Sequence, residues 1–290
     1  MANLINSTDK DRNSAYNEAI KFAKNHYENF PVITFLIRKD LRKHIAIIYW
    51  FARTADDIAD EGTLTEAERI MQLNEFETRL TETLKGKYSN QFDLALHSTV
   101  KEKNLSPEYL YNLLKAFRQD ITIKRYEDTS SLQSYCVNSA NPVGRLILEL
   151  YNIRNEDALN YSDSICTALQ LTNFWQDTAI DYQKGRIYYT IKDMEKYGVT
   201  ENMFEFRKNN FNLREMVKSN VDQTLKMFDK GYNLLPFLHG RLKYEIKWTI
   251  LGGEMILEKI RLSDYDVLNI RPHITKKDFL SLLIKSFFDL

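Results

Sequence analysis

The sequence predicts an all-α protein. Only nine Gly and five Pro occur in 290 residues, and apolar side chains recur at helical intervals along nearly the whole chain, so long helices with few tight turns are expected. A chain of this length buries most of its apolar surface. No internal repeat or low-complexity linker divides it. The expected organisation is a flexible N terminus over 1–13 and a single domain over 14–290.

From Ser14, the run AYNEAIKFAKNHY places Ala15, Ala19, Phe22, Ala23 and His26 at helical spacing, until Glu28-Asn29-Phe30-Pro31 ends the pattern. A lone histidine at a helix end is ordinarily a structural hydrogen-bonder. Asp40 is the expected N-cap of a helix over about 40–61, and Gly62 its C-terminal stop. Arg42 and Lys43 open that helix while Asp56, Asp57, Asp60 and Glu61 close it, so charge opposes the macrodipole at both ends. Tertiary partners or ligands must offset it. A helix over 65–85 turns Leu73, Phe76 and Leu80 inward, 91–103 reads the same way, and Ser106-Pro107-Glu108 opens another with Tyr109, Leu110, Leu113, Leu114 and Phe117 as its core stripe.

Within 132–151, Ser139, Ala140, Pro142 and Gly144 predict an interrupted helix where something approaches the backbone closely, a substrate wall or a packed helix. A helix follows over 157–183, then an extended link over 185–190 and a short helix over 192–197 stopped by Gly198. The segment 212–238 is amphipathic, with Val217, Val221, Leu225 and Phe228 on one face and Pro236 near its end. Residues 244–260, with Gly252-Gly253 in their middle, read as a tightly packed central helix, and Thr275 with Asp278 as the cap of a last one.

Composition narrows the function. Lys plus Arg and Asp plus Glu number 40 each, so nothing points to a nucleic-acid partner. Cys136 and Cys166 lack metal or disulfide spacing and read as core thiols. MANLINSTDKDRN has no secretory pattern, and no run approaches the roughly 18 apolar residues of a membrane span. A cytoplasmic protein without an integral membrane segment is expected; peripheral association with the inner membrane stays open, since an amphipathic surface needs no spanning helix.

The chemistry lies in two stretches. On a helix Tyr49, Arg53, Asp56 and Asp60 fall within roughly 60° of arc. Asn173, Asp177 and Asp181 likewise share a face, with Gln170 one turn before them. Ligands that are all oxygen suit hard cations, and Mg²⁺ keeps waters while bridging carboxylates to substrate phosphates. A single DxxxD is ordinarily a solvated acidic face. Here Tyr49, Trp50, Phe51, Phe174 and Trp175 flank the acids, and Lys184, Arg186, Tyr188 and Tyr189 follow as donors for an anionic leaving group. GxGxxG, Walker A, GxSxG and HExxH patterns are missing. What stands is ionisation, in which metal and cations take up a departing diphosphate and an apolar, aromatic interior surrounds the carbocation.

The segments YWFARTADDIADE, YCVNSANPVGR, LQLTNFWQDTAIDYQKGRIYY and SDYDVLNIRP resemble those of the squalene/phytoene synthases, the head-to-head prenyl synthases, and within them bacterial hydroxysqualene synthases of hopanoid pathways. The resemblance runs from about His26 to Arg271. It implies an isoprenoid-synthase helical fold with a central active-site cavity and a prenyl diphosphate substrate. Asp56, Asp60, Asn173, Asp177 and Asp181 would be the catalytic Mg²⁺ ligands, with Asp57 as a helper. His26, Tyr49, Arg53, Gln170, Lys184, Arg186, Tyr188 and Arg271 would bind or orient the diphosphate.

The implied reaction is Mg²⁺-dependent ionisation of presqualene diphosphate with water capture, giving hydroxysqualene and diphosphate without a nicotinamide. The alternatives are squalene, dehydrosqualene or presqualene diphosphate synthesis from farnesyl diphosphate. Gln176 stands where many dehydrosqualene and phytoene synthases carry Arg, which removes one diphosphate contact. Gly252-Gly253 lies where some relatives have a substrate-contacting Tyr. Tyr135, Asn138 and Asn141 are candidates for activating the water. A non-catalytic assembly factor on the same fold should have lost acids, yet all five candidate ligands are present.

Overall fold

The computed structural model describes residues 9–26, 37–275, 277, 278 and 282, and among them the chain is helical with no strand. They cluster into two compact units. One gathers the described residues through Thr122 with Pro142–Arg154, the other Ile123–Asn141 with those from Asn155 onward.

In the first unit, α1 (Asp9–His26) opens before Ser14, with Asp9 and Asp11 in its first turn, where acids favour the dipole. α2 (Arg42–Asp60) does not use Asp40 as its cap. Leu41 takes that position without a side-chain bond, because the Asp40 carboxylate turns to Arg38 at 2.8 Å. Ala15, Ala19, Ala23, Ala46 and Ala55 are fully buried, small residues that let α1 and α2 pack closely. Thr65 and Glu68 form a capping box for α3 (Glu66–Leu84), and Asn90 caps α4 (Gln91–Lys103). α5 (Glu108–Thr122) buries Tyr109, Leu110, Leu113 and Leu114 as its stripe predicts.

A buried polar knot joins α1, α2 and α4. The Tyr16 hydroxyl donates to the Ala95 carbonyl at 3.0 Å and meets Thr99 Oγ1 at 2.8 Å, which His44 Nδ1 reaches at 2.9 Å. After α6 (Thr129–Ser139), which lies in the second unit, α7 (Asn141–Leu150) completes the first. The interruption expected near Pro142 is the gap between these helices, and Pro142 stands in the first turn of α7, where its missing N–H costs no bond.

In the second unit the helix expected over 157–183 is two, α8 (Glu156–Gln176) and α9 (Thr178–Gln183). α10 (Ile191–Tyr197) ends at Gly198, whose φ is 65°, and α11 (Glu201–Glu205) is short. The expected 212–238 helix ends early. α12 (Phe211–Gly231) passes into a 3₁₀ turn, Tyr232–Phe237, because Pro236 cannot continue the α ladder. α13 (Gly240–Leu262) and α12 both pack on α8. A Cβ on Gly253 would lie 2.4 Å from Phe228 Cζ, whereas one on Gly252 would meet only Ile274 Cδ1 at 3.8 Å, so Gly253 is the close-packing residue of the pair. Cys136 is buried and its thiol pushed up to about 12 by desolvation; Cys166 is only half-buried, and neither forms a disulfide. Thr275 and Asp278 make the expected reciprocal cap bonds. No described helix is long and apolar enough to cross a membrane.

Candidate active site

The first acidic group is built on the C-terminal half of α2. Arg53 gathers it: Nε lies 2.6 Å from Asp57 Oδ1, Nη1 3.3 Å from Asp56 Oδ2, and Nη2 pairs with Glu61. Burial pulls the Arg53 pKa down, but the charges of Asp57, Asp56 and Glu61 outweigh it and hold it above its ordinary value. Asp60 is exposed, and Tyr49 is half-buried with its ring 6.2 Å from that of Phe22. His26 closes α1, and its side chain lies outside the described residues.

The positive charge that this helix end demands comes partly from a residue that sequence reasoning missed. Arg69 on α3 donates to the carbonyls of Ile58 at 2.9 Å, Gly62 at 3.0 Å and Leu64 at 3.1 Å. It thereby takes up carbonyls around the end of α2 and cancels part of the dipole. No motif announces it, since the three acceptors converge only once the turn around Gly62, at φ 79°, has formed. At the other end of α2, Glu102 of α4 faces Lys43 at 3.7 Å and His44 at 3.3 Å.

The second group spans the α8–α9 junction. The Asp177 N–H donates to the Asn173 carbonyl at 2.8 Å and the Asp181 N–H to the Asp177 carbonyl at 2.8 Å, so the three residues stay on successive turns across the break. The break follows from Thr178, whose hydroxyl bonds back to the carbonyls of Phe174 at 3.0 Å and Trp175 at 3.1 Å and bends the helix there. Asn173 is exposed; Gln170, Asp177 and Asp181 are half-buried. Arg271, from the irregular segment after α13, forks onto Asp177, Nε to Oδ1 at 2.5 Å and Nη2 to Oδ2 at 3.3 Å. Beside it Gln176 Nε2 donates to the Pro272 carbonyl at 2.6 Å.

Past α9, Gly185 at φ 75° turns the chain. The link then runs along residues 124–127, with the Ile187 N–H on the Lys124 carbonyl at 3.2 Å and the Ile191 N–H on that of Tyr126 at 2.9 Å. Lys184 is exposed and Arg186 half-buried. Tyr188 is buried, its ring stacked on Phe174 at 3.5 Å and 7°; Tyr126 lies 6.0 Å from Tyr188 and 5.7 Å from Tyr135. Four aromatic rings thus adjoin the second acidic helix. Asn138 donates to the Ser134 carbonyl at 3.0 Å, and Asn141 accepts from Thr167 at 3.0 Å.

Among the described residues no three of His, Cys, Asp and Glu converge as a metal cage. The carboxylates stand instead along helix faces beside arginines, an oxygen-only donor set. That fits a Mg²⁺ ion that keeps waters and completes its shell with diphosphate oxygens.

A family model described as squalene/phytoene synthase matches residues 23–278. A hydroxysqualene synthase of Zymomonas mobilis subsp. mobilis is 31% identical over 279 residues, 94% of this chain and 92% of its own. Phytoene synthase 2, chloroplastic, of Solanum lycopersicum is 24% identical over 277 residues, 93% of this chain and 89% of its own. The crystal structure of squalene synthase HpnC from Alicyclobacillus acidocaldarius matches with a TM-score of 0.84 at 32% identity, over 91% of this chain and 99% of that one. The helices are those of the isoprenoid-synthase fold, and the chain belongs to the squalene/phytoene synthase family.

Proposed function

We propose that the protein ionises presqualene diphosphate and captures the resulting cation with water, releasing hydroxysqualene and diphosphate. The observation that carries the reading is the second acidic group, where Asn173, Asp177 and Asp181 line successive turns and Arg271 already rests on Asp177. The similarity to a hydroxysqualene synthase supports the choice of substrate.

In this reading Asn173, Asp177 and Asp181 would hold Mg²⁺, as would Asp56 and Asp60 as a second set, with Asp57 as a helper. When bound, the metal would draw negative charge from the departing diphosphate. The carbon–oxygen bond breaks with its electron pair going to the diphosphate, whose oxygens Arg53, Lys184, Arg186 and Arg271 receive. Tyr49, Gln170, Tyr188 and His26 orient it. Phe174, Tyr188, Tyr126 and Tyr135 offer ring faces to the cation. A water oxygen then bonds to carbon and loses a proton.

Product analysis tests this, with purified protein and Mg²⁺ given presqualene diphosphate or farnesyl diphosphate, both without NADPH. Hydroxysqualene from the first substrate alone is expected. Presqualene diphosphate or dehydrosqualene from the second would move the assignment to an earlier or fuller head-to-head synthase. Replacing Asp177 and Asp181 together by Ala should lower turnover by about 10³ or more; undiminished turnover would remove these residues from the site.

A further inference from the structure

Two neighbouring side chains of the α8–α9 junction grip two neighbouring residues from far along the chain: Gln176 holds the Pro272 carbonyl, and Asp177 holds the Arg271 guanidinium. The segment that brings Arg271 there is fixed before it arrives. Asp264 and Tyr265, at φ 54° and 57°, reverse the chain after α13, and Arg214 of α12 pairs with Asp264. Asn269 bonds Asp266 at 2.9 Å and the Arg207 carbonyl at 3.4 Å. Pro272 is buried and, as a proline, confines the residue before it to extended backbone. Fixing the Pro272 carbonyl therefore fixes the direction in which the Arg271 side chain leaves the main chain.

We propose that Gln176 is a positioning residue, which through the Pro272 carbonyl keeps Arg271 poised to pass from Asp177 to the leaving diphosphate when Mg²⁺ takes that carboxylate. The inference rests on the proposed role of Asp177 as a metal ligand. The fork takes up a lone pair on each Asp177 oxygen, so a cation bound there would compete with Arg271 for the carboxylate. The displaced guanidinium keeps a planar set of donors suited to diphosphate oxygens. The Gln176 amide is neutral, so it anchors the segment without adding a charge that competes for Asp177.

The test is a double-mutant cycle read by calorimetric titration of the full chain, in Mg²⁺, with inorganic diphosphate. Gln176→Met keeps the length and removes the donor. It and Arg271→Met should each weaken binding about tenfold, and the pair together no more than Arg271→Met alone, which is full coupling. In metal-free protein, Gln176→Met should also speed proteolytic nicking within 263–275. A merely structural bond would shift the melting temperature without coupling to Arg271. If Gln176→Met fails to fold, Gln176→Asn, which shortens the reach but keeps the amide, should give a smaller loss coupled in the same way. Additive losses, or wild-type affinity in the Gln176 variants, would overturn the inference and leave the proposed function standing. A wild-type protein that binds no diphosphate with Mg²⁺ would overturn both.

Discussion

Asp56, Asp57 and Asp177 each touch an arginine rather than standing bare toward solvent. Each pair sets a cation beside an acid, so the mutual repulsion of neighbouring carboxylates is offset. Buried His44 is handled in the opposite way. Its ring is fully inaccessible, and burial lowers its pKa to about 4, against the pull of Glu102 and with the help of Lys43 and Lys103. The folded state therefore holds the neutral ring, while the unfolded chain protonates it near pH 6.5. Its contribution to stability is complete above about pH 6.5 and is lost as pH falls toward 4. In urea unfolding, the wild type should lose on the order of 2 kcal/mol more than His44→Asn between pH 7.5 and 5. An equal loss in both would show that His44 does not titrate with folding. None of this was legible beforehand, because the His44, Thr99 and Tyr16 contacts join residues distant in sequence.

At the scale of elements, periodicity located the helices and erred where a side chain competes with the ladder. The break at Asp177 needs the Thr178 hydroxyl turned onto its own helix, and a pattern of apolar spacing cannot register that. The capping box at Thr65 and the stop at Gly198 were more local, and the cap pair at Thr275 and Asp278 was read directly. The glycine pair of α13 gives an internal comparison. Gly253→Ala drives a methyl to 2.4 Å from the buried Phe228 ring and should cost about 1–3 kcal/mol. Gly252→Ala meets only Ile274 at 3.8 Å and should be neutral or stabilising by up to about 1 kcal/mol. Denaturant titration of the two variants checks this, and equal effects would contradict the packing of α13 on α12.

For the molecule as a whole, the arrangement of acids along helices rather than around a cage sets what metal removal does. On the proposed reading diphosphate would complete the metal's shell, so chelation should abolish turnover yet leave the melting temperature of the substrate-free protein within about 2 °C. Mg²⁺ with inorganic diphosphate should raise that temperature by several degrees. A large fall on chelation alone would mean a structural metal instead. The sequence by itself determined that the chain is helical, where most helices lie, and which two stretches carry the oxygen-rich faces, since helical period and residue type are local properties. Only the tertiary structure decided that Arg69 closes α2, that Tyr188 stacks on Phe174, and that Gln176 and Asp177 hold Pro272 and Arg271. Each of those contacts is directional and joins separate elements, and no one-dimensional pattern contains the distance between them.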